Sequence, residues 1–450
     1  MDGNVLKRMR AARKEAVRAL AKDDSHVNDE IIRLNEKQQL AIDCAKQGKN
    51  LFITGSGGVG KSVVIRELET LFGSTALFLA PTGIAALNIQ GSTLHRVFGL
   101  PFSVATDSDY FDVNSSTADL FSDGQITTII IDEISMVRGD MFITIDEKLR
   151  RITHQNHLPF GGLQIIVVGD FFQLPPVLTR DDNDVYYQLY ESLYAFNTDT
   201  WKQIEFDVIE LDQVMRQDDE NTIRALNSIR RGSKSQSVLK WINKQCQGNE
   251  VKCDEAVTLC TTNRIAGIIN TVFFDDINED EFTYYAIVEG RFNEKPVEPH
   301  LKLKKSCRVV ICANNLFAGY SNGQCGEVLS LDDDSIMVQL DDGGTVKIGM
   351  KIWESYRYQR VKGKITKVVD GSFEQIPVKL GYAITIHKAQ GMTLDECVLD
   401  LGTGAFSHGQ TYVALSRIRS LKNLELERNI KRSDLIVDQE VIDFYKSLGL

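Results

Sequence analysis

The sequence predicts an α/β protein in which two domains with parallel sheets form the main body and a small β-barrel is inserted into the second. Short apolar runs alternate with helical stretches over residues 31–205, and the same alternation returns over residues 206–298 and 376–450. Continuous apolar strands separated by helices indicate a parallel sheet that is covered on both faces. Residues 299–375 instead contain short strands punctuated by Gly and Asp, which is typical of a small barrel.

The individual elements follow from the same patterns. In the first domain the predicted strands are NLFITG, ALFLAPT, TTIIIDE and LQIIVVGD, and helical periodicity is clearest in KSVVIRELETLFG and DMFITIDEKLRRI. The strands predicted for the second domain are FDVIELDQV, EAVTLCTTN, KLGYAITIHKAQ and ECVLDLG. The insert is represented by RVVICANN, NGQCGEVLSL and SIMVQLDDGGTVKI.

Composition excludes several classes of protein. The 450 residues are 43% apolar and 25% charged, which leaves room for about three structural units. No apolar run reaches the ~18 residues that span a bilayer, and the N-terminus lacks the apolar core of a secretory signal. We therefore expect a soluble intracellular protein, in cytoplasm or nucleus according to the organism, without organelle targeting. The eight scattered cysteines indicate neither a zinc site nor a disulfide framework.

Two basic segments stand out against a net charge of -11. Residues 1–30 form a predicted basic helix and linker, with seven cationic and two acidic side chains among the first 22 residues. Residues 353–367, WESYRYQRVKGKITK, interleave aromatic and cationic side chains, as on surfaces where bases stack and phosphates pair. A solvated helix face and a solvated β-hairpin are the alternative interpretations.

The strongest motif is GSGGVGKS at residues 55–62, directly between a predicted strand and a predicted helix. Its glycines let the backbone N–H groups point at phosphates, Lys61 reaches the β and γ phosphates, and Ser62 can bind Mg²⁺. The residues expected to contact ATP here are Gly55, Ser56, Gly57, Gly58, Val59, Gly60, Lys61 and Ser62. The motif predicts a nucleoside-triphosphate site.

Carboxylates follow the next strands. In IIIDEIS, Asp132 is placed to hold Mg²⁺ through water, and Glu133 to polarise the attacking water. The strand IIVVGD ends in Asp170, and Gln173 follows it as a candidate sensor of the γ-phosphate. A charge-stabilising arginine must come from elsewhere in the fold, and Arg216 and Arg417 are the candidates.

The order of motifs resembles that of the superfamily-one, type B helicases, and within them the petite-integration-frequency (Pif) family of DNA helicases, over about residues 33–430. The segments that carry the resemblance are LNEKQQLAI, GSGGVGKS, APTGIAALNIQGSTLHRVFGL, IIIDEISMV, PFGGLQIIVVGDFFQLPPV, LDQVMRQ, LNSIRRG, TTNRIAGIIN, NGQCGEV, GYAITIHKAQGMT and YVALSR. Many relatives have G-x-A-G-T-G-K-S where this chain has GSGGVGKS, a change that keeps every ligand.

The resemblance implies roles that spacing alone does not give. It implies two RecA-like motor domains, an inserted SH3-like barrel, movement from 5′ to 3′, and work in replication, repair, recombination or telomere maintenance. Gln38 is similar to the adenine-contacting glutamine, and Arg216 and Arg417 to the two γ-phosphate arginines. The residues implied to contact DNA are Pro81, Thr82, Gly83, His95, Thr262, Asn263, Thr385, His387 and Lys388.

These inferences predict an ATP-dependent and Mg²⁺-dependent DNA helicase. Its expected partners are single-stranded DNA and DNA with a 5′ tail, and a monomer is expected to be active. Single-stranded RNA stays open as a further partner, because contacts to the backbone barely distinguish RNA from DNA. An ATP-dependent binding switch would need no complete DNA track. A metabolic P-loop kinase would need only one α/β domain.

Overall fold

The computed structural model describes residues 34–217, 219–249, 251, 256–293, 295–315, 317–361 and 364–450, without the side chains of residues 180, 181 and 361. The predicted basic helix and linker, residues 1–30, lie outside the described residues. Contacts divide the chain between Leu40 and Ala41 into two units. No helix in the described part is both long enough and apolar enough to cross a bilayer.

Helices are numbered in chain order. They are α1 (Glu36–Lys46), α2 (Lys61–Phe72), α3 (Gly83–Asn88), α4 (Leu94–Phe98), α5 (Asp107–Phe111), α6 (Ser115–Phe121), α7 (Gly139–Ile152), α8 (Arg180–Leu189), α9 (Asp199–Gln203), α10 (Glu220–Arg230), α11 (Gln236–Gln245), α12 (Asn263–Asp276), α13 (Gln410–Leu415) and α14 (Gln439–Ser447).

Strands are numbered likewise. They are β1 (Leu51–Gly55), β2 (Ala76–Ala80), β3 (Ser92–Thr93), β4 (Thr128–Ile131), β5 (Gln164–Val168), β6 (Asp207–Leu211), β7 (Val257–Cys260), β8 (Phe282–Tyr285), β9 (Ile287–Gly290), β10 (His300–Leu303), β11 (Arg308–Ile311), β12 (Cys325–Leu331), β13 (Ser335–Leu340), β14 (Thr345–Gly349), β15 (Lys351–Val361), β16 (Lys364–Gln375), β17 (Val378–Leu380), β18 (Ala383–Thr385), β19 (Cys397–Asp400) and β20 (Leu424–Leu426).

The first sheet has six parallel strands in the order β3-β2-β4-β5-β1-β6. Every residue of β1, β2 and β4 is buried, as expected for strands covered by helices on both faces. Strand β6, which the sequence pattern groups with the second domain, pairs with β1, so that Leu211 lies opposite Gly55. Its short run DVIEL indicates a strand but carries no information about which sheet receives it.

The second sheet is smaller, with four parallel strands in the order β18-β7-β19-β20. The two sheets confirm the α/β class with a parallel-sheet, RecA-like core. The C-terminal helix α14 returns to the first core, where Val441 and Tyr445 are buried. The end of the chain therefore packs against the first sheet and not against the second.

The insert does not form the predicted barrel in the described residues. Five antiparallel strands make an open sheet in the order β14-β13-β12-β11-β17, whose edge strands do not pair with each other. Strands β15 and β16 instead form a long hairpin that is joined by β9 in a separate three-stranded sheet. The SH3-like barrel is thus not confirmed, because the segment next to the five strands has its own pairing.

The hairpin of β15 and β16 contacts the first α/β domain. The Tyr358 hydroxyl accepts a hydrogen bond from the Phe78 backbone N–H at 3.0 Å, and Ile365 is buried in the first core. Arg360 forms an ion pair with Asp123. The sequence predicts that the aromatic and cationic side chains of this hairpin face nucleic acid or solvent. At least Tyr358 and Arg360 instead contact the first domain.

Candidate nucleotide site and nucleic-acid interface

The phosphate loop lies between the end of β1 and the start of α2. Gly58 and Gly60 both have φ of 83°, a left-handed conformation that glycine adopts without steric penalty. The Lys61 ammonium donates hydrogen bonds to the carbonyl oxygens of Gly55 at 2.8 Å and Ser56 at 3.0 Å. The loop thus curls around its own lysine, whose pKa is lowered by burial.

Asp132 and Glu133 directly follow β4, the strand two places from β1 in the sheet. Burial and, to a smaller extent, the negative charge of the neighbouring Glu133 together raise the pKa of Asp132 to about 7. Burial also raises the pKa of Glu133, against the opposing charges of Lys61 and Arg417. Two adjacent carboxylates whose ionised forms are disfavoured by burial can be stabilised by a divalent cation, which takes oxygen ligands.

Asp170, at the end of β5, has a fixed partner. The Arg230 guanidinium donates from Nη2 to Asp170 Oδ1 at 2.9 Å and from Nε to Oδ2 at 3.0 Å, and both side chains are buried. Burial opposes ionisation of Asp170, but Arg230 outweighs it and holds the pKa of the carboxyl below its usual range. The Gln173 amide lies against the same carboxylate, 3.4 Å from Oδ2.

Both candidate arginines lie at the phosphate loop. A Cβ placed on Gly57 would be 3.3 Å from Arg417 Nη2 and 3.6 Å from Arg216 Nη1, so both guanidinium groups lie directly beside this glycine. Burial and, to a smaller extent, the positive charge of nearby Arg216 together lower the pKa of Arg417 to about 9. Arg216 follows β6 of the first sheet, whereas Arg417 follows α13.

Three further residues at this site were not identified from the sequence. The Gly57 N–H donates to the Tyr412 hydroxyl at 3.0 Å, and the Gln390 amide donates to Glu133 Oε2 at 3.2 Å. Arg230, the third, pairs with Asp170 as described above. Tyr412 and Gln390 lie in YVALSR and HKAQG, where the sequence indicates roles for Arg417, His387 and Lys388 only. Arg230 lies in LNSIRRG, which carried no chemical signal.

Gln38 lies in α1, within the unit that ends at Leu40. Its side-chain oxygen accepts from the Asn35 N–H at 3.0 Å, and its own N–H donates to Asn35 Oδ1 at 2.9 Å. These reciprocal bonds form a capping box that starts the helix. The predicted contact of Gln38 with adenine stays a prediction.

Three of the predicted DNA contacts are threonines that follow parallel strands. Thr82, Thr262 and Thr385 come after or at the end of β2, β7 and β18, and each hydroxyl accepts a backbone N–H at 3.3 Å, from Ala85, Ile265 and Lys388 respectively. They therefore lie at the carboxyl edges of the two sheets, where ligands bind in open α/β folds. The predicted residues Pro81, His387 and Lys388 lie in the same turns, and Gly83 and Asn263 begin α3 and α12.

His95 lies in α4 and stacks on Phe102, with ring centroids 5.0 Å apart. Phe102 is 85% exposed, although its loop is held firmly: Arg138 donates to the Ser103 carbonyl at 2.7 Å and pairs with Asp140. A rigidly held aromatic ring with an open face is suited to base stacking. Burial lowers the pKa of His95, so the ring is neutral at physiological pH.

Comparison with known proteins gives a consistent result. The family model of PIF1-like helicases matches residues 33–256. The ATP-dependent DNA helicase Pif1 of Bdellovibrio bacteriovorus is 33% identical over 92% of each chain. The PIF1 helicase of Xenopus laevis is 31% identical, and this chain spans 61% of its length.

Solved structures agree with this result. Bacteroides sp Pif1 in complex with ADP-AlF4 has a TM-score of 0.84 and 33% identity, covering 93% of this chain and 97% of that one. Bacteroides Pif1 bound to single-stranded DNA covers 93% and 98% at 34% identity, with a TM-score of 0.66.

Proposed function

The chain belongs to the PIF1-like helicase family and is an ATP-dependent DNA helicase, and we propose that it moves along single-stranded DNA from 5′ to 3′ and unwinds duplex or structured DNA. One observation carries this proposal: Lys61, from the first sheet, and Arg417, from the segment after α13, meet at one phosphate loop. A site assembled from both parts can convert nucleotide binding into relative movement of the two sheets.

We assign the hydrolytic steps to the residues around the loop. Glu133 takes a proton from the attacking water, and Gln390 orients its carboxylate by the 3.2 Å hydrogen bond. Lys61, Arg216 and Arg417 donate to phosphate oxygens as charge develops in the transition state. Gln173, which contacts Asp170, is proposed to sense the γ-phosphate.

Ser62 and Asp132 would hold Mg²⁺. When bound, the ion neutralises phosphate charge. The raised pKa of Asp132 supports this assignment, because it shows that the site favours added positive charge, either as a proton or as a cation.

The DNA track is proposed to cross the carboxyl edges of both sheets, over the turns that contain Thr82, Thr262 and Thr385 and past the Phe102–His95 stack. The structure is more similar to unliganded Bacteroides sp Pif1 than to Bacteroides Pif1 bound to single-stranded DNA, with TM-scores of 0.83 and 0.66. Because both comparisons cover 93% of this chain, the difference supports a rearrangement of domains when the strand binds.

The first test is ATP hydrolysis by the purified protein with single-stranded DNA, duplex DNA or single-stranded RNA, beside Lys61→Ala. Strong stimulation by single-stranded DNA that Lys61→Ala abolishes supports the motor. A Lys61-dependent rate that no nucleic acid changes would contradict it and favour an ATP-dependent switch. Equal stimulation by RNA would extend the substrate to RNA.

Direction is tested by strand displacement from duplexes with a 5′ or a 3′ tail. We expect unwinding only with the 5′ tail, and unwinding with only the 3′ tail would reverse the assignment. A rate proportional to protein concentration at limiting enzyme is expected if a monomer is active, whereas a steeper dependence would indicate that copies cooperate.

A further inference from the structure

A basic groove lies on the second sheet, away from the nucleotide site. It has a volume of about 500 Å³ and runs between α11 and the loop after β20, residues 429–432. We call it the α11 groove. Its cationic side chains are all exposed, and they are Lys240, Lys244, Lys431 and Arg432. No Asp or Glu lines it, although the chain has 62 acidic and 51 basic residues.

The walls of the groove are fixed while its cations stay available. Asn243 exchanges two hydrogen bonds with the Ile430 backbone, at 2.9 and 3.0 Å, and Gln247 donates to Asn429 at 2.9 Å. In the part of the chain that the structure describes, none of the four cations forms an ion pair. This contrasts with Arg360 and Lys367 of the hairpin, which pair with Asp123 and Glu69.

The spacing of the cations suits a phosphate chain. Lys240 and Lys244 are one helical turn apart on the same face of α11, where like charges repel by a few tenths of a kcal/mol. Lys431 and Arg432 line the same groove from its other wall. Two rows of unpaired cations, brought together at the expense of mutual repulsion, indicate a polyanionic ligand that neutralises them.

The groove adjoins the proposed DNA track. The loop 429–432 follows β20, and Thr262 follows β7; these two strands are two places apart in the second sheet, so their carboxyl ends are separated by roughly 10 Å. Arg428 donates to the Gly402 carbonyl at 2.8 Å, and a Cβ on Gly402 would be 3.6 Å from Ile265, in the first turn of α12. The residue before the groove loop is thus bonded to a turn that lies beside the start of α12.

We propose that the α11 groove binds the sugar–phosphate backbone of single-stranded nucleic acid as a second anchor, beyond the track over the two sheets. This proposal rests on the proposed function, because the strand that enters the groove is the one that the motor holds. An acidic peptide is a poorer fit: the apolar groove residues Leu239 and Ile430 are 2% and 3% exposed, so the floor offers no pocket for an apolar anchor.

The test compares a short and a long oligothymidylate, of roughly 8 and 25 nucleotides. Dissociation constants are measured over a range of salt concentrations for the wild type, for Lys240→Gln/Lys244→Gln and for the control Lys305→Gln/Lys347→Gln, which removes the same charge from exposed positions of the insert. Each phosphate contact contributes about 0.7 to the slope of log K against log salt for single strands.

We expect the groove variant to lower the slope for the long oligonucleotide by about 1.4, with no change for the short one. The control should leave both slopes unchanged. An unchanged slope for the long oligonucleotide, or an equal fall in the control, would overturn the proposal.

ATP hydrolysis stimulated by the short oligonucleotide separates the two hypotheses. If wild type and groove variant are stimulated equally while the long-oligonucleotide slope does not change, only the second anchor fails. If the wild type is not stimulated by either length, the motor itself fails.

Discussion

The carboxylates at the ends of β4 and β5 lie on neighbouring strands but in opposite electrostatic environments. Asp170 has a buried arginine on both oxygens, and its pKa is held low. Asp132 and Glu133 face each other and a lysine that bonds to its own loop, and their pKa values are raised. The charge of a buried carboxylate with a permanent partner is compensated within the fold, whereas carboxylates without one mark a candidate place for a ligand that supplies the missing charge.

The largest effect is expected at Glu133, one of the two carboxylates without a permanent partner. Glu133→Gln removes the proposed general base and should lower kcat for ATP hydrolysis by about 10³-fold, or about 4 kcal/mol, while nucleotide binding persists. Steady-state kinetics with single-stranded DNA and binding of a fluorescent nucleotide measure the two effects. The exposed Glu205→Gln is the control, and a kcat close to that of the wild type in Glu133→Gln would refute the assignment.

The permanent pair should show its effect in stability. Arg230→Met leaves Asp170 buried without its cation and should lower the free energy of unfolding by about 3–5 kcal/mol in urea denaturation. The adjacent Arg231→Met is the matched control, because Arg231 is half exposed and only 3.5 Å from Glu210, so that a loss of at most about 1 kcal/mol is expected. Equal losses in both variants would show that the buried Arg230–Asp170 pair matters no more for stability than the exposed Arg231–Glu210 pair.

Asp132 should behave in the opposite sense. Its pKa is about 7 in the folded protein and 3.8 as its ordinary value, so the folded state binds the proton more tightly and loses stability as pH rises between these values. Asp132→Asn should therefore raise the free energy of unfolding of the ligand-free protein by about 2 kcal/mol at pH 8, with no gain below about pH 4. Thermal unfolding across pH measures this, and destabilisation at pH 8 would contradict it.

The smallest effect is expected at Gln390. Its hydrogen bond lowers the pKa of Glu133, against the larger upward effect of burial. Gln390→Met keeps the approximate size but removes the donor, so the acid limb of kcat/KM against pH should move to higher pH by about one unit or less. A purely structural role would lower the rate at every pH without moving the limb.

The sequence predicts well whatever depends on neighbouring residues. GSGGVGKS lies between β1 and α2, and the Asp132–Glu133 pair follows a buried strand, because strand, turn and helix signals are local. The α/β class and the family are confirmed. Partners distant in sequence were less accessible: Arg230 and Asp170 are separated by 60 positions, and nothing in LNSIRRG points to a carboxylate.

The same limit explains the two basic surfaces. Residues 353–367 concentrate cations in one stretch of sequence, yet Arg360 and Lys367 pair with acidic side chains of the first α/β domain. The α11 groove draws its cations from two segments almost 190 residues apart, so no window of sequence shows it. Sheet membership is similarly non-local. The sequence pattern therefore places β6 in the second domain, whereas it pairs with β1 of the first sheet. For the same reason the pattern predicts a barrel in the insert, where the described strands form an open sheet.

The two arginines at the phosphate loop differ in how far each can travel. Leu211 is paired with Gly55 in the first sheet, and five residues of chain then lead to Arg216, a reach of at most about 18 Å. The Met215 N–H is also bonded to the Gly58 carbonyl at 2.9 Å, so Arg216 is tethered to the loop that it serves. The Arg417 guanidinium instead donates to the carbonyl oxygens of Val413 and Met392, which both belong to the second α/β domain. If the two sheets separate as proposed, Arg216 would stay at the loop and Arg417 would move away together with Tyr412 and Gln390, which also contact the first domain.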